Sequence, residues 1–299
     1  MMGKKTQKTV QLLALATVLT SAAGPAIAQE AVYRSGVERI VAADSLRMWT
    51  QRLAAAACLV DAGIDAERHR GVIAEGLESY EALLAGLEAG DPAFGIGTAE
   101  EDRKMLFALR GIALQWERLK PSAELRLTGG DPWAEGPDFL SRQNLNSMHA
   151  AKYLVAEAIN TYAVPPALLQ SDAFSVSVIA RQRSLTQQMA KEACGVATGN
   201  RVMGSAVRLS KSARLFDASL GALMNGMAGA GVTPPPTEEI RAGLQAVQED
   251  WSALRPRIDG LDDGSDPAEA GAIFDALDGL LQRIDGLMPL YIEDSKADI

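Results

Sequence analysis

Two cysteines and two histidines in 299 residues leave little from which to assemble a metal centre or a framework of several disulfides. His69 and His149 stand apart, with no second His or Cys at ligand spacing, so neither a structural metal nor a haem is expected. Aromatic residues make up only 5% of the chain while Ala, Leu and Gly abound, a composition that suits closely packed helices better than sheets. Positive charge is also in the minority, 29 Lys and Arg against 38 Asp and Glu, which argues against a nucleic-acid partner. No G-x-S-x-G, P-loop, G-x-G-x-x-G or C-x-x-C-H stands in a context that would support it, so no enzyme and no cofactor is expected. The acidic pairs Glu100-Glu101 and Asp262-Asp263 fall in loops or at helix starts, where carboxylates complement the helix dipole, and they read as structural.

Long apolar runs are scarce too. The one at the start follows Lys4, Lys5 and Lys8, extends from Val10 to Ala23 and leads to Ala26-Ile27-Ala28. Its length falls short of the roughly 20 residues that cross a bilayer, and with its basic start and A-x-A end it reads as a cleavable signal peptide over residues 1–28. The mature chain is expected in the periplasm, beginning near Gln29, and loss of three lysines takes its formal charge from −9 to −12. With no transmembrane segment expected in the mature chain, any signal must pass to a partner such as a membrane-bound receptor or sensor kinase.

Shifting the sequence by 136 residues lines up two helices from each half without a gap, from Arg47 to Gly90. Ser45–Cys58 lies over Arg181–Cys194, with identities at Arg47/Arg183, Thr50/Thr186, Gln51/Gln187, Ala54/Ala190, Ala57/Ala193 and Cys58/Cys194. Tyr80 pairs with Phe216, and after a one-residue adjustment Trp116, Leu119 and Pro121 pair with Trp251, Leu254 and Pro256. The two tryptophans read as core anchors. Apolar periodicity and breakers predict helices over residues 37–62, 66–89, 99–120 and 138–163, then 170–198, 201–229, 237–257 and 267–293. The fold class is therefore all-α, with about eight helices after the signal peptide. Residues 29–164 and 165–299 form tandem four-helix modules, either two separate bundles or one fused assembly, divided at Val164-Pro165-Pro166.

On a helix, spacings of four, seven and eleven keep Arg47, Gln51, Ala54 and Cys58 on one face, and Arg183, Gln187, Ala190 and Cys194 on another. Small alanines in such a stripe let two helices approach closely, so the first helices of the two halves are expected to pack together. Cys58 and Cys194 can then be joined, or can fill matching core positions as free thiols.

Arg181-Gln-Arg-Ser-Leu-Thr-Gln-Gln-Met-Ala-Lys191 resembles the R-Q-R-x-L-S-Q-R-M-A-K pattern of PilJ-type sensor domains. These stand at the N-terminus of type IV pilus chemotaxis transducers and in NarX-like nitrate/nitrite sensor kinases. Ser45-Leu-Arg-Met48 is similar to the corresponding nitrate-sensor segment. The resemblance implies a small oxyanion, nitrate or nitrite, held between equivalent first-helix arginines. These match Arg47 and Arg183, flanked by Thr50, Gln51, Thr186 and Gln187. A tandem pair would fuse into one chain what the family builds as a dimer, and two facing guanidiniums suit a planar oxyanion while repelling each other without one. The chain departs from the pattern where Gln188 stands against Arg52, and where Ser184 and Leu185 stand against Met48 and Trp49. The competing reading is a ligand-free helical scaffold that docks onto a membrane receptor, a chemotaxis component or a pilus component.

Overall fold

The computed structural model describes residues 35–130, 139–165, 167–199 and 204–297. The expected signal peptide and its cleavage site lie outside these residues. The fold is all-α. Among the described residues there are eight α-helices and no strand: α1 (Gly36–Asp61), α2 (Ala66–Ala89), α3 (Arg103–Leu127), α4 (Phe139–Tyr162), α5 (Gln170–Ala197), α6 (Ser205–Asn225), α7 (Glu238–Asp259) and α8 (Pro267–Ala297).

The helices differ in how much of their circumference is apolar, and that sets their places. α1 and α5 are buried nearly all round, through runs such as Ala54–Ala57 and Met189–Ala190, so they take the centre. α2, α3, α6 and α7 bury one stripe each and lie outside. α1 packs on α5, on α2 and on α4, while α5 packs on α6 and on α8. α3 covers α4, and α7 covers α8. Where either a pair of bundles or a fused assembly would satisfy the sequence, the structure has one hydrophobic core that runs through both halves, because the two central helices share a face.

Contacts between Ser45 and Arg183, Arg52 and Gln187, and Cys58 and Cys194 climb both central helices together, so α1 and α5 are parallel and in register. Cys58 and Cys194 are joined in a disulfide with Cα atoms 6.2 Å apart, which decides between the bridge and two free thiols. Ala54 and Ala190, both buried, line the close approach above the bridge. α8 runs antiparallel to α1: Asp278 pairs with Arg52 at one end and Lys296 with Glu38 at the other.

Small details recur 136 residues apart. Gly90 and Gly226 end α2 and α6 at φ 83° and 75°. A side chain there would be strained by that backbone and would strike Thr98 or Pro234. Each is followed by a single 3₁₀ turn, Pro92–Phe94 and Ala228–Ala230, closed by the bridges Asp91–Ile96 and Met227–Val232. Tyr80 stacks on Trp116 with ring centroids 4.0 Å apart, and Phe216 meets Trp251 at 4.5 Å, so both tryptophans anchor the core.

Helix boundaries depart from expectation in two instructive places. The third helix does not stop before its proline but continues through Pro121 to Leu127, whereas the seventh runs through Pro256 as expected. Proline forfeits one backbone bond, yet in α3 the next turn is held by Ala123 in the core and by Arg126, which donates to the Ser122 carbonyl and pairs with Asp61. The same helix begins at Arg103 rather than residue 99, because residues before it are committed elsewhere. Arg39, fully buried, donates to the Thr98 carbonyl and to Glu100, whose carboxylate also accepts from Tyr162 and from the backbone of Glu101 and Asp102. Asp102 then caps the helix by accepting from the backbone of Lys104 and Met105.

Candidate functional site

The shared face of α1 and α5 carries an unusual density of buried charge. Arg47 donates to Asp44 at 3.0 Å, one turn earlier on α1. Arg183 donates from Nη1 to the Ser45 hydroxyl at 3.0 Å and pairs through Nε with Asp285 of α8 at 2.5 Å. Both guanidiniums are buried, at 7% and 9% exposure. The two expected arginines therefore meet one seam from opposite helices, joined through the neighbouring positions Asp44 and Ser45.

Asp44 is the hub of this seam. It is fully buried, one oxygen accepts from Arg47, and the other has no hydrogen-bond partner among the described residues. Burial pushes its carboxyl above the ordinary range, against the pull of Arg47, Arg183 and Arg181. Arg181 is held below the usual guanidinium value by burial and by Arg47, with Asp44 opposing, and its Nε has no hydrogen-bond partner among the described residues. On α4, Lys152 is lowered by burial and by the repulsion of Arg47, Arg181 and Lys211. Asp285 is raised by burial, opposed by Arg183. Three guanidiniums thus confront two carboxylates, with the ammonium of exposed Lys152 nearby, and the balance is positive. Beside Arg183 a cleft of about 500 Å³ opens between α1 and α2, walled by Val41, Trp49 and Leu83 and floored by Ser45.

The other expected residues have separate fates. Gln51 is 1% exposed and neither atom of its amide is hydrogen-bonded among the described residues. Gln187 accepts from Arg52 at 3.3 Å. Thr50 and Thr186 turn inward, donating to the Leu46 and Arg183 carbonyls. Arg52, where the second half has Gln188, pairs with Asp278 and lies over the Trp49 and Phe274 rings, which makes it a clamp between halves. Lys191 reaches Asn144 of α4 and pairs with Glu192, which also holds Arg208. Sequence comparison missed Asp44 and Arg181. Both lay in view, one a helical turn from Arg47 and the other at the head of the R-Q-R segment, but their counterparts 136 residues away are Ala180 and Ser45. Among the described residues no cluster of His, Cys, Asp and Glu could hold a metal ion, and no helix is long and apolar enough to cross a membrane.

Residues 168–275 match the family profile "Type IV pili methyl-accepting chemotaxis transducer N-term", PilJ. The PilJ match takes in α5, α6, α7 and the first part of α8, and so supports one such domain, with the R-Q-R segment inside it. α1–α4 lie outside the matched stretch. The PilJ family is a sensory and signalling one without catalytic chemistry, and it sets the domain in the context of chemotaxis receptors. No curated protein matches the chain.

Proposed function

We propose that this is an exported, periplasmic sensory protein in which two PilJ-like modules, residues 29–164 and 165–299, are fused so that a small oxyanion binds at the α1–α5 seam and is reported to a membrane-bound partner. Duplication is supported by the glycines, 3₁₀ turns, bridges and aromatic pairs that recur one repeat length apart. Export is supported by the basic and apolar leader and by the Cys58–Cys194 bond, since disulfides persist in oxidising compartments.

One observation carries the ligand class: Arg47, Arg181 and Arg183 gather about two carboxylates, fully buried Asp44 and partly buried Asp285, with positive charge to spare. A monovalent oxyanion such as nitrate or nitrite would bring that balance nearer neutrality and would offer acceptors to the free Nε of Arg181 and to the unbonded amide of Gln51. Titration calorimetry of the mature protein with nitrate, nitrite and sulfate tests this. A charge-assisted hydrogen bond contributes about 1.5–3 kcal/mol, so Arg47→Ala or Arg183→Ala should weaken binding roughly 10- to 100-fold. Absence of binding between pH 5 and 8, or variants that bind as well as the parent, would overturn the reading.

A further inference from the structure

The outer face of α3 has a composition that the core does not explain. Arg103, Phe107, Arg110, Leu114 and Arg118 fall at steps of four, three, four and four, which places them within about 80° of arc. They face away from the core residues Met105, Ile112, Trp116 and Leu119. Phe107 is 69% exposed and Leu114 57%, and Tyr153 of α4, which lines the same groove as Phe107, is 47% exposed. Between α3 and α4 runs a groove of about 520 Å³, floored by Ala108, Gly111 and Ala150 and walled by Phe107, Arg118 and Tyr153. A side chain at Gly111 would meet nothing within 4 Å, so the groove is open.

Charge sets this face apart as well. In a chain of net charge −9, α3 carries six basic residues against two acidic ones. Several exposed arginines elsewhere have acidic partners, Arg68 with Asp275, Arg257 with Glu269 and Arg283 with Asp250, although exposed Arg214 meets only the Ser210 hydroxyl. Arg103, Lys104, Arg110 and Arg118 are exposed and form no ion pair among the described residues. The corresponding face of α7, 135 residues on, reads Glu238, Ala242, Gln245, Glu249 and Ala253, with neither the cations nor the large apolar groups. The feature therefore belongs to the first half alone and lies outside the PilJ match.

We propose that the α3 face and the α3–α4 groove dock an acidic amphipathic helix of a partner protein. Such a helix would seat Leu or Phe side chains against Phe107, Leu114 and Tyr153, and would set carboxylates, spaced by three or four residues, on the guanidinium forks of Arg103, Arg110 and Arg118. A concave groove with a floor of small residues takes a protruding helix, whereas a bilayer surface would need a convex one. The same charges steer an acidic partner in from a distance, so association depends on salt.

The test uses the mature chain and a fluorescein-labelled synthetic helical peptide with Glu and Leu at the complementary spacings, followed by anisotropy. Binding should weaken at least 10-fold in 0.5 M NaCl and at least 10-fold in the triple variant Arg103→Glu, Arg110→Glu, Arg118→Glu. Phe107→Ala with Leu114→Ala should weaken it comparably at low salt, while circular dichroism and the anion titration of the α1–α5 seam stay unchanged. That last readout separates a failure here from a failure of the ligand reading. A peptide of the same composition in scrambled order that binds equally well would overturn the proposal, as would no binding of the designed peptide. So would co-sedimentation with phosphatidylglycerol vesicles that Phe107→Ala with Leu114→Ala abolishes while peptide binding persists, or self-association of the parent chain that the triple variant abolishes.

Discussion

Replacing Cys58 and Cys194 together by serine probes how much of the fold depends on joining the two central helices. The bridge closes a loop of 136 residues, and the chain-entropy relation for a loop of that size gives about 17 cal/mol/K, or about 5 kcal/mol at 25 °C, of constraint removed from the unfolded chain. For a protein of this length each kcal/mol moves the midpoint by about 2–4 °C, so a fall of about 10–20 °C is expected. The folded state should survive, because Ala54 and Ala190 keep α1 and α5 in contact above the bridge and Arg52 still binds Asp278 and Gln187. Urea unfolding followed by far-ultraviolet circular dichroism measures the loss. The slope against urea should rise, since the released chain exposes more surface on unfolding. The parent in reducing buffer should behave as the double variant does. A change below about 1 kcal/mol, or two free thiols per chain in the oxidised parent, would refute the reasoning.

Two further outcomes follow from buried charge. Glu100→Ala removes the acceptor shared by Arg39 and Tyr162 and leaves a fully buried guanidinium without its counter-ion, so thermal unfolding should report a loss of about 3–5 kcal/mol, with Glu100→Gln less damaging. Asp44 competes with any ligand for the seam arginines, and burial raises its pKa, so the parent should bind nitrate more tightly as pH falls and the carboxyl takes up its proton. Asp44→Asn should bind more tightly at pH 8 and lose that dependence, and calorimetry showing the same pH slope in both proteins would exclude the competition.

The sequence carried the helices well, because each is written in apolar periodicity bounded by glycine, proline or acidic caps, as at Ala66–Ala89. It also carried the meeting of α1 and α5, since Arg47, Gln51, Ala54 and Cys58 repeat as a face, while their parallel direction came from the structure. It did not carry Pro121 within a helix, where packing of the following turn outweighs a breaker's local preference. The candidate site was legible only in part, for the same reason that the repeat was visible. Aligning halves selects what they share, such as Arg47 with Arg183, and passes over what differs, so Asp44, Arg181 and the α3 face escaped. Burial was the missing information: Asp44 is an unremarkable acid in a helix until its surroundings show it to be enclosed by three arginines.

The Cys58–Cys194 bond lies near the C-terminal ends of two parallel rods, so any relative movement of α1 and α5 is held smallest there and grows toward their N-terminal ends. The arginines stand eleven residues from it along α1, about 16 Å, and the start of that helix stands twice as far. Opening or closing the jaw by 1 Å at Arg47 and Arg183 therefore swings the far tips by about 2 Å. The α1 tip lies where Lys296 of α8 meets Glu38, so a displacement there would bear on the contact between the first and last helices.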